Sequence, residues 1–313
     1  MLLKDDFVER TKSKVFFYIE STIWNNIDHK RLISWLNQFK EEVEEEVYLS
    51  YLLLDSLVYY NKSDCLKLLN KGIFDLVVRE KVLSSDRESD FRKNEMDLKG
   101  LIKSTLSKVG FMTLLTDGDN ETTVSSRVLT RYLTHEMDFP EDQIFDPSDL
   151  ENVYDKFDTI ILVDDFIGSG RQIINFWYHT EIKFKDSTKL ISDICLENSI
   201  SMKYLCLVAD EKGLANFYSY GDKLNLTIWP CERLNISHSF FEMESDKFES
   251  IEDCEKYKKI YMDVCNRNGI KSFGYELGEL TIAFEHTVPD STLPIFWEHP
   301  DSYLVRNKKT KRL

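Results

Sequence analysis

Apolar residues recur every three or four positions between residues 5 and 83, which is the spacing of amphipathic helices. The repeat is most regular from residue 32 to residue 57 and predicts a single amphipathic helix there. Five glutamates within residues 41–46 lie mostly on its other face, and they form either an ordinary solvated surface or a docking surface for a basic partner. Residues 61–64 predict a turn that starts the next helix, and Lys71-Gly72 predicts the end of that helix.

Strands and helices alternate along the rest of the chain. Two apolar runs, at residues 159–163 and 201–210, are typical of strands that are buried on both faces of a parallel sheet. Further strands are predicted at residues 111–115 and 224–229, and helices at residues 101–106, 125–132, 172–178, 213–220 and 248–267. This order predicts an α/β fold, in which a parallel sheet with helices on both faces is preceded by an α-helical N-terminal region.

The same patterns divide the chain into three regions. We predict a helical N-terminal region at residues 1–85, a charged junction at residues 86–100 and an α/β domain at residues 101–313. The junction is poor in apolar residues, so it contributes little to a core.

An acidic pair and a glycine loop follow the first of the two buried strands. Asp164 and Asp165 come directly after residues 159–163, and Gly168-Ser169-Gly170 precedes the next helix. Ligands of open α/β sheets bind beyond the carboxyl ends of the strands, so we expect both aspartates to face a site. Paired carboxylates suit the vicinal hydroxyls of a ribose, and a glycine loop before a helix donates backbone N–H groups to an anion. The stretch therefore predicts a site for a ribose 5-phosphate.

Other proteins also place two aspartates at the end of an apolar strand. Receiver domains bind magnesium there, and P-loop ATPases have an acidic strand of the same kind. The chain contains no G-x-x-x-x-G-K-[ST] loop, which excludes the ATPase. A receiver-like metal site and a purely structural strand–turn–helix remain as alternatives.

Composition narrows the class of protein. The formal net charge of −15 argues against a surface that tracks nucleic acid, and the basic tail at residues 306–312 is the one local exception. Six scattered cysteines without C-x-x-C spacing argue against structural zinc and fit a reducing cytoplasm. No signal peptide or membrane-spanning run is present, so we expect a cytoplasmic protein without a membrane partner.

Val163-Asp164-Asp165 with Gly168-Ser169-Gly170 resembles the phosphoribosyl-diphosphate signature of type I phosphoribosyltransferases. The resemblance implies a type I phosphoribosyltransferase-like fold, in which Asp164 and Asp165 hold the ribose hydroxyls and contact Mg²⁺ at most indirectly. The loop residues that it assigns to the 5′-phosphate are Gly168, Ser169, Gly170, Arg171 and Gln172. The chain departs from the family pattern at the last two positions, where a glycine and a hydroxyl residue are usual. Residues 186–198 start with polar residues and predict a mobile segment over this site.

A second loop lies where related transferases bind pyrophosphate. It contains Thr116, Asp117 and Gly118, between a predicted strand and a predicted helix. Asp117 repels pyrophosphate unless Mg²⁺ bridges the two. Arg127, near the start of the following helix, is either a bidentate phosphate clamp or a plain surface arginine.

The resemblance extends over nearly the whole chain when weaker motifs are included. Trp35-Leu36 with Phe39, residues 287–290 and residues 293–297 are similar to the divergent phosphoribosyltransferase-like family of bacterial conflict systems. The resemblance implies a component of anti-phage defence, in some cases encoded beside a retron reverse transcriptase. Phe296 and Trp297 either stack on a planar base or cap the core. His286 is either a general acid or base or a structural histidine.

Three functions follow as hypotheses. The first is a Mg²⁺-dependent enzyme that transfers or cleaves at the anomeric carbon of a phosphoribosyl compound or nucleotide, as an effector of anti-phage defence. The second is a non-catalytic sensor of such a ligand, which the departures at Arg171, Gln172 and Asp117 favour. The third is an assembly component, whose helical N-terminal region docks a reverse-transcriptase or other nucleic-acid complex.

Overall fold

The computed structural model describes residues 2–79, 95–114, 125–220 and 226–306. The helices are α1 (Leu2–Glu20), α2 (His29–Leu36), α3 (Glu44–Ser56), α4 (Lys62–Ile73), α5 (Glu95–Leu106), α6 (Ser125–Met137), α7 (Leu150–Val153), α8 (Arg171–His179), α9 (Ile191–Glu197), α10 (Glu211–Ser219) and α11 (Ile251–Arg267). The strands are β1 (Val58–Tyr60), β2 (Val109–Thr113), β3 (Ile144–Phe145), β4 (Thr159–Ile167), β5 (Glu181–Phe184), β6 (Ser187–Leu190), β7 (Met202–Asp210), β8 (Leu226–Leu234) and β9 (Ile282–Phe284).

The chain forms two compact units. The sheet unit comprises Cys65–Arg233, and the terminal unit combines Met1–Asp64 with Leu234–Leu313. Both ends of the chain therefore belong to the same unit. The predicted boundaries at residues 85 and 101 stay a prediction.

A five-stranded parallel sheet forms the centre of the sheet unit, in the order β3-β2-β4-β7-β8. This confirms the predicted α/β fold with a parallel sheet. Tyr204 of β7 packs in one cluster with Trp177 of α8. The next residue, Leu205, points to the opposite face, where it meets Gly72 of α4 so closely that an added Cβ would lie 2.3 Å from its Cδ1. Helices therefore cover both faces, and α4 ends at Ile73, one residue after Gly72.

The strand that carries the acidic pair is longer than its apolar run. Parallel pairing with β7 continues past Val163, since Asp164 pairs with Cys206 and Ile167 with Ala209. Both aspartates are thus part of β4, and the strand ends at Ile167. The glycine loop follows at once.

Residues 186–198 form regular structure. They contribute β6, which pairs with β5 in a hairpin, and α9. Ile191, Ile194 and Cys195 are buried in the same cluster as the sheet residues. The prediction of a mobile segment is wrong here, because its polar start is a hairpin strand and its apolar residues anchor a helix.

The N-terminal half of the terminal unit is not helical throughout. Val58–Tyr60 form β1, which pairs in parallel with β9 near the other end of the chain. The single helix predicted at residues 32–57 is also wrong, because α2 ends at Leu36 and α3 starts at Glu44. The side chain of Glu46 accepts a hydrogen bond from the backbone N–H of Lys40 at 2.8 Å, which holds the connection between the two helices.

The acidic segment at residues 41–46 is not a uniformly solvated face. Glu46 is buried, and its carboxylate lies 2.6 Å from Nη2 of Arg267 in α11. Its neighbour Glu45 is half-exposed and pairs with Lys256 of the same helix α11. Two of the five glutamates therefore link α3 to α11, one from a buried position and one from a half-exposed position.

Candidate functional site

The carboxyl half of β4 places Asp164 in the interior of the sheet unit. Its side chain is 1% exposed. The hydroxyl of Tyr204 donates to Oδ2 at 2.8 Å, and the hydroxyl of Ser125, the first residue of α6, donates to Oδ1 at 3.0 Å. The backbone N–H of Asp165 donates to the same Oδ1 at 3.0 Å. Both carboxyl oxygens are thus bonded to other parts of the protein.

Burial determines the protonation of Asp164. Burial, with a smaller contribution from the nearby charge of Asp165, raises the pKa of this carboxyl to about 8, although the hydrogen bonds from Tyr204 and Ser125 oppose the shift. At neutral pH the carboxyl is therefore mostly protonated. A protonated carboxyl binds sugar hydroxyls more weakly than a carboxylate does.

Asp165 is the neighbour of Asp164 on the same strand and is 4% exposed. Successive residues of a strand point to opposite faces, so the two carboxyl groups leave β4 in opposite directions. The sequence predicted that both would face a site at the end of the strand. Their roles toward a ribose stay a prediction, and alternation along β4 places the two carboxyl groups on opposite faces of the sheet.

The glycine loop connects β4 to α8. Gly170 stands immediately before the helix and has a φ of 76°. Residues with a side chain adopt this left-handed conformation only with backbone strain, which explains a glycine at this position. The backbone N–H of Arg171 lies 3.4 Å from Oγ of Ser169. Since α8 begins at Arg171, the loop brings the N-terminal end of a nine-residue helix to the carboxyl edge of the sheet.

Gly213 of α10 holds this loop in place, although the sequence did not single it out. A Cβ added at Gly213 would lie 2.0 Å from the carbonyl oxygen of Gly168, and one added at Gly170 would lie 2.5 Å from the carbonyl oxygen of Gly213. Nδ2 of Asn216, one turn further along α10, donates to the carbonyl of Ser169 at 2.8 Å. The only signal in the sequence was a glycine shortly after a strand that ends in an acidic residue.

Arg127 is held by a carboxylate of the sheet unit. Its Nη2 lies 2.7 Å from Oδ2 of Asp146, and Oγ1 of Thr113 donates to the other oxygen of the same carboxylate at 2.6 Å. To bind a phosphate, Arg127 would have to exchange this partner or share it. The phosphate clamp stays a prediction.

Other predicted residues contribute less to the site. Thr116, Asp117 and Gly118 lie outside the described residues. Phe296 belongs to the core of the terminal unit, where it stacks on Trp35 with ring centroids 5.6 Å apart. Of the two alternatives for Phe296, stacking on a base or capping the core, the structure shows the second. His286 is also buried in the terminal unit.

A metal cage is not preformed in the described part of the chain. There, no three histidine, cysteine, aspartate or glutamate side chains converge to hold an ion. Asp164 and Asp165 leave β4 in opposite directions, so they do not ligate one ion together; a magnesium ion at this edge of the sheet would take its ligands from water and a bound phosphate.

Comparison with known protein families identifies the family of this chain. The model of the PRTase-CE family matches residues 32–305, which is most of the chain. The chain belongs to the PRTase-CE family. This family is phosphoribosyltransferase-like, so membership confirms the predicted resemblance to phosphoribosyltransferases at the level of the family. No curated protein matches the chain.

Among the helices that the structure describes in this PRTase-CE protein, none is both long enough and apolar enough to cross a membrane.

Proposed function

We propose that this protein binds a phosphoribosyl compound at the carboxyl edge of its parallel sheet and catalyses transfer or cleavage at the anomeric carbon. One observation carries the proposal: in a PRTase-CE chain, an acidic pair on β4 is followed directly by a glycine loop and the start of α8. The proposed ligand is phosphoribosyl diphosphate or a nucleotide.

The 5′-phosphate is placed at the loop formed by residues 168–172. Backbone N–H groups at the start of α8 and the positive end of its dipole favour an anion there. Gly213 and Asn216 support this role because they fix the backbone of the loop, and a fixed set of donors does not need to reorganise when the phosphate binds.

The ribose is placed beside the acidic pair. When the bond from the anomeric carbon to pyrophosphate or to a base breaks, the leaving group takes the bonding electrons and positive charge develops on the sugar. Asp165 is the residue proposed to stabilise that charge and to bind the ribose hydroxyls, while Asp164 fixes the strand behind it. An acceptor then forms a bond to the anomeric carbon in place of the leaving group.

Magnesium is the proposed cofactor. Bound to the pyrophosphate of the ligand, it neutralises charge on the leaving group. The chain contributes the acidic pair as an indirect contact. Arg127, in the first turn of α6, is the proposed cation of the pyrophosphate site and is paired with Asp146.

Calorimetric titration of phosphoribosyl diphosphate with magnesium tests the binding site. We expect the wild type to bind, and a double variant, Asp164→Asn with Asp165→Asn, not to bind. Asp155→Asn with Asp158→Asn is the matched control, since it removes two exposed carboxylates of the same unit, and it should bind as the wild type does. Binding that survives in the acidic-pair variant would reject the proposed site.

A non-catalytic sensor is the second candidate. It is favoured by the protonated, fully bonded state of Asp164 and by the departures from the family pattern at Arg171 and Gln172. Long incubation of bound ligand separates the two candidates: an enzyme releases pyrophosphate or a free base, whereas a sensor returns the ligand unchanged.

We further propose a cytoplasmic effector of anti-phage defence that acts with a reverse-transcriptase or other nucleic-acid complex. The support is the resemblance of the sequence to components of conflict systems. Phage plaque counts on cells that carry the locus with the acidic-pair variant test this role. Lost protection would support an effector, and full protection would favour an assembly component.

A further inference from the structure

A cavity of about 710 Å³ lies within the terminal unit. Residues of α1, α3, β1, the end of β8 and the segments 237–249 and 280–282 line it. The buried apolar residues of its wall are Leu52, Leu234, Phe248, Leu280 and Ile282. This volume is typical of sites for small organic molecules.

Most polar side chains of the wall already have partners. Oγ1 of Thr281 donates to the carbonyl of Ser56 at 2.7 Å, and the carboxylate of Asp55 lies 2.7 Å from the ammonium of Lys14. Oγ of Ser237 donates to Asn235 at 2.6 Å. These groups define the shape of the cavity without requiring a ligand.

Lys247 is the exception. Its partly buried ammonium makes one long hydrogen bond, to the carbonyl of Ser237 at 3.4 Å, and lies 5.9 Å from the ring centroid of Phe240. No carboxylate of the described residues forms an ion pair with it. Burial lowers the pKa of Lys247, although the charges of Asp246 and Asp55 partly oppose the shift. An ammonium in this position gains from an anion placed in the cavity, because it is partly withdrawn from solvent and no carboxylate of the described residues forms an ion pair with it.

The charge of the wall limits the kind of anion. Asp55, Asp246 and Glu249 also line the cavity, and their negative charges repel a phosphate dianion or a pyrophosphate. One ammonium matches one negative charge. The wall is mixed, and its apolar part, formed by Leu52, Phe248 and Ile282, matches a hydrocarbon or aromatic body.

We propose that this cavity binds a small organic carboxylate with an apolar body, with the carboxylate on the ammonium of Lys247 and the body against Leu52, Phe248 and Ile282. The proposal does not depend on the phosphoribosyl site, because every residue of the cavity belongs to the terminal unit.

Calorimetric titration of the full chain with 4-phenylbutyrate, without phosphoribosyl diphosphate, tests the site. Two further probes keep the phenylbutyl body and differ only in the head group: 4-phenylbutanol has a hydroxyl and 4-phenylbutylamine has an ammonium in place of the carboxylate. We expect the carboxylate to bind at least about tenfold more tightly than the alcohol, since a hydrogen bond between two charged groups is lost with the alcohol. Equal affinities for acid and alcohol in the wild type would overturn the proposal without any variant.

Variants then locate the binding. Lys247→Met should lower the affinity for 4-phenylbutyrate at least about tenfold, and Lys247→Arg, which keeps the charge, should retain most of it. Lys259→Met is the matched control, since it removes an exposed lysine of α11 that does not line the cavity. Unchanged affinity in a folded Lys247→Met chain would overturn the proposal, as would an equal loss in the control.

Discussion

At the scale of single residues, the acidic pair shows how one strand gives two adjacent aspartates different chemistry. Asp164 lies where Tyr204, Ser125 and the backbone of Asp165 all donate to it. Three donors do not fully compensate the loss of water, so burial still favours the protonated form. A carboxyl that holds its proton at neutral pH behaves structurally like an amide, which makes asparagine the closest substitute.

We expect Asp164→Asn to stabilise the protein increasingly as pH rises. The pKa of this carboxyl is about 8 in the folded protein and near 3.8 when unfolded, so between these values the folded state binds more protons than the unfolded state. The free energy of unfolding of the wild type therefore falls with pH in this window, by up to about 1.4 kcal/mol per pH unit from this group. Asparagine does not titrate and avoids that loss.

Urea unfolding at pH 5, 6, 7 and 8 measures the difference between the variant and the wild type. The difference should grow across this range and level off above pH 8. Asp158→Asn, at an exposed carboxylate, is the control and should show no such trend. A constant difference between Asp164→Asn and the wild type would contradict the protonated state.

Neighbouring residues also show what the sequence could and could not predict at the site. The apolar run, the acidic pair and the glycine loop are contiguous, so their order predicted a strand, a turn and a helix correctly. Nothing local showed that Tyr204 would reach Asp164, because the contact depends on the register of β4 with β7. Long-range register is a property of the folded sheet.

At the scale of elements, helices and strands could be predicted where the spacing of apolar residues is regular over a short stretch of the chain. The start of α6 and the parallel sheet followed from such patterns. The break between α2 and α3 did not, since residues 37–43 contain no glycine or proline and the apolar spacing continues through them. The strand β1 was missed for a different reason: its only described strand partner, β9, lies near the opposite end of the chain.

Gly213→Ala tests the packing of α10 against the glycine loop. The added Cβ would lie 2.0 Å from a backbone oxygen that cannot move without shifting the loop. We expect a loss of about 1–3 kcal/mol in the free energy of unfolding, as overpacking usually costs, together with weaker binding of phosphoribosyl diphosphate. Calorimetry and urea unfolding of the same samples measure both effects.

Gly100→Ala is the matched control, because Gly100 also lies within a helix but no atom stands within 4 Å of the added Cβ. Alanine should stabilise that helix by up to about 1 kcal/mol. If Gly213→Ala behaved in the same way, α10 would not constrain the loop as described.

At the scale of the whole molecule, one partly buried ion pair joins the N-terminal and C-terminal segments of the terminal unit. Glu46 of α3 accepts from both terminal nitrogens of Arg267 in α11, at 3.1 and 2.6 Å, and the side chain of Arg267 is 34% exposed. Glu46→Gln removes the charge of the buried partner while water still reaches Arg267, so we expect the free energy of unfolding to fall by about 1–2 kcal/mol.

The adjacent Glu45 offers a direct control for that prediction. Its pair with Lys256 is exposed to solvent on both sides. Glu45→Gln should change the free energy of unfolding by less than about 1 kcal/mol, as is usual for surface pairs. Equal losses in the two variants, measured by urea unfolding, would show that the pair with Arg267 has no special role.

The composition of the terminal unit from both ends of the chain has a consequence for synthesis. A ribosome releases Met1–Asp64 before the sheet unit and Leu234–Leu313 after it. Until then Trp35 lacks Phe296, and β1 lacks β9. The sheet unit can therefore fold before the terminal unit does, whereas the helices of Met1–Asp64 must wait with their apolar faces open to chaperones until Leu234–Leu313 has emerged.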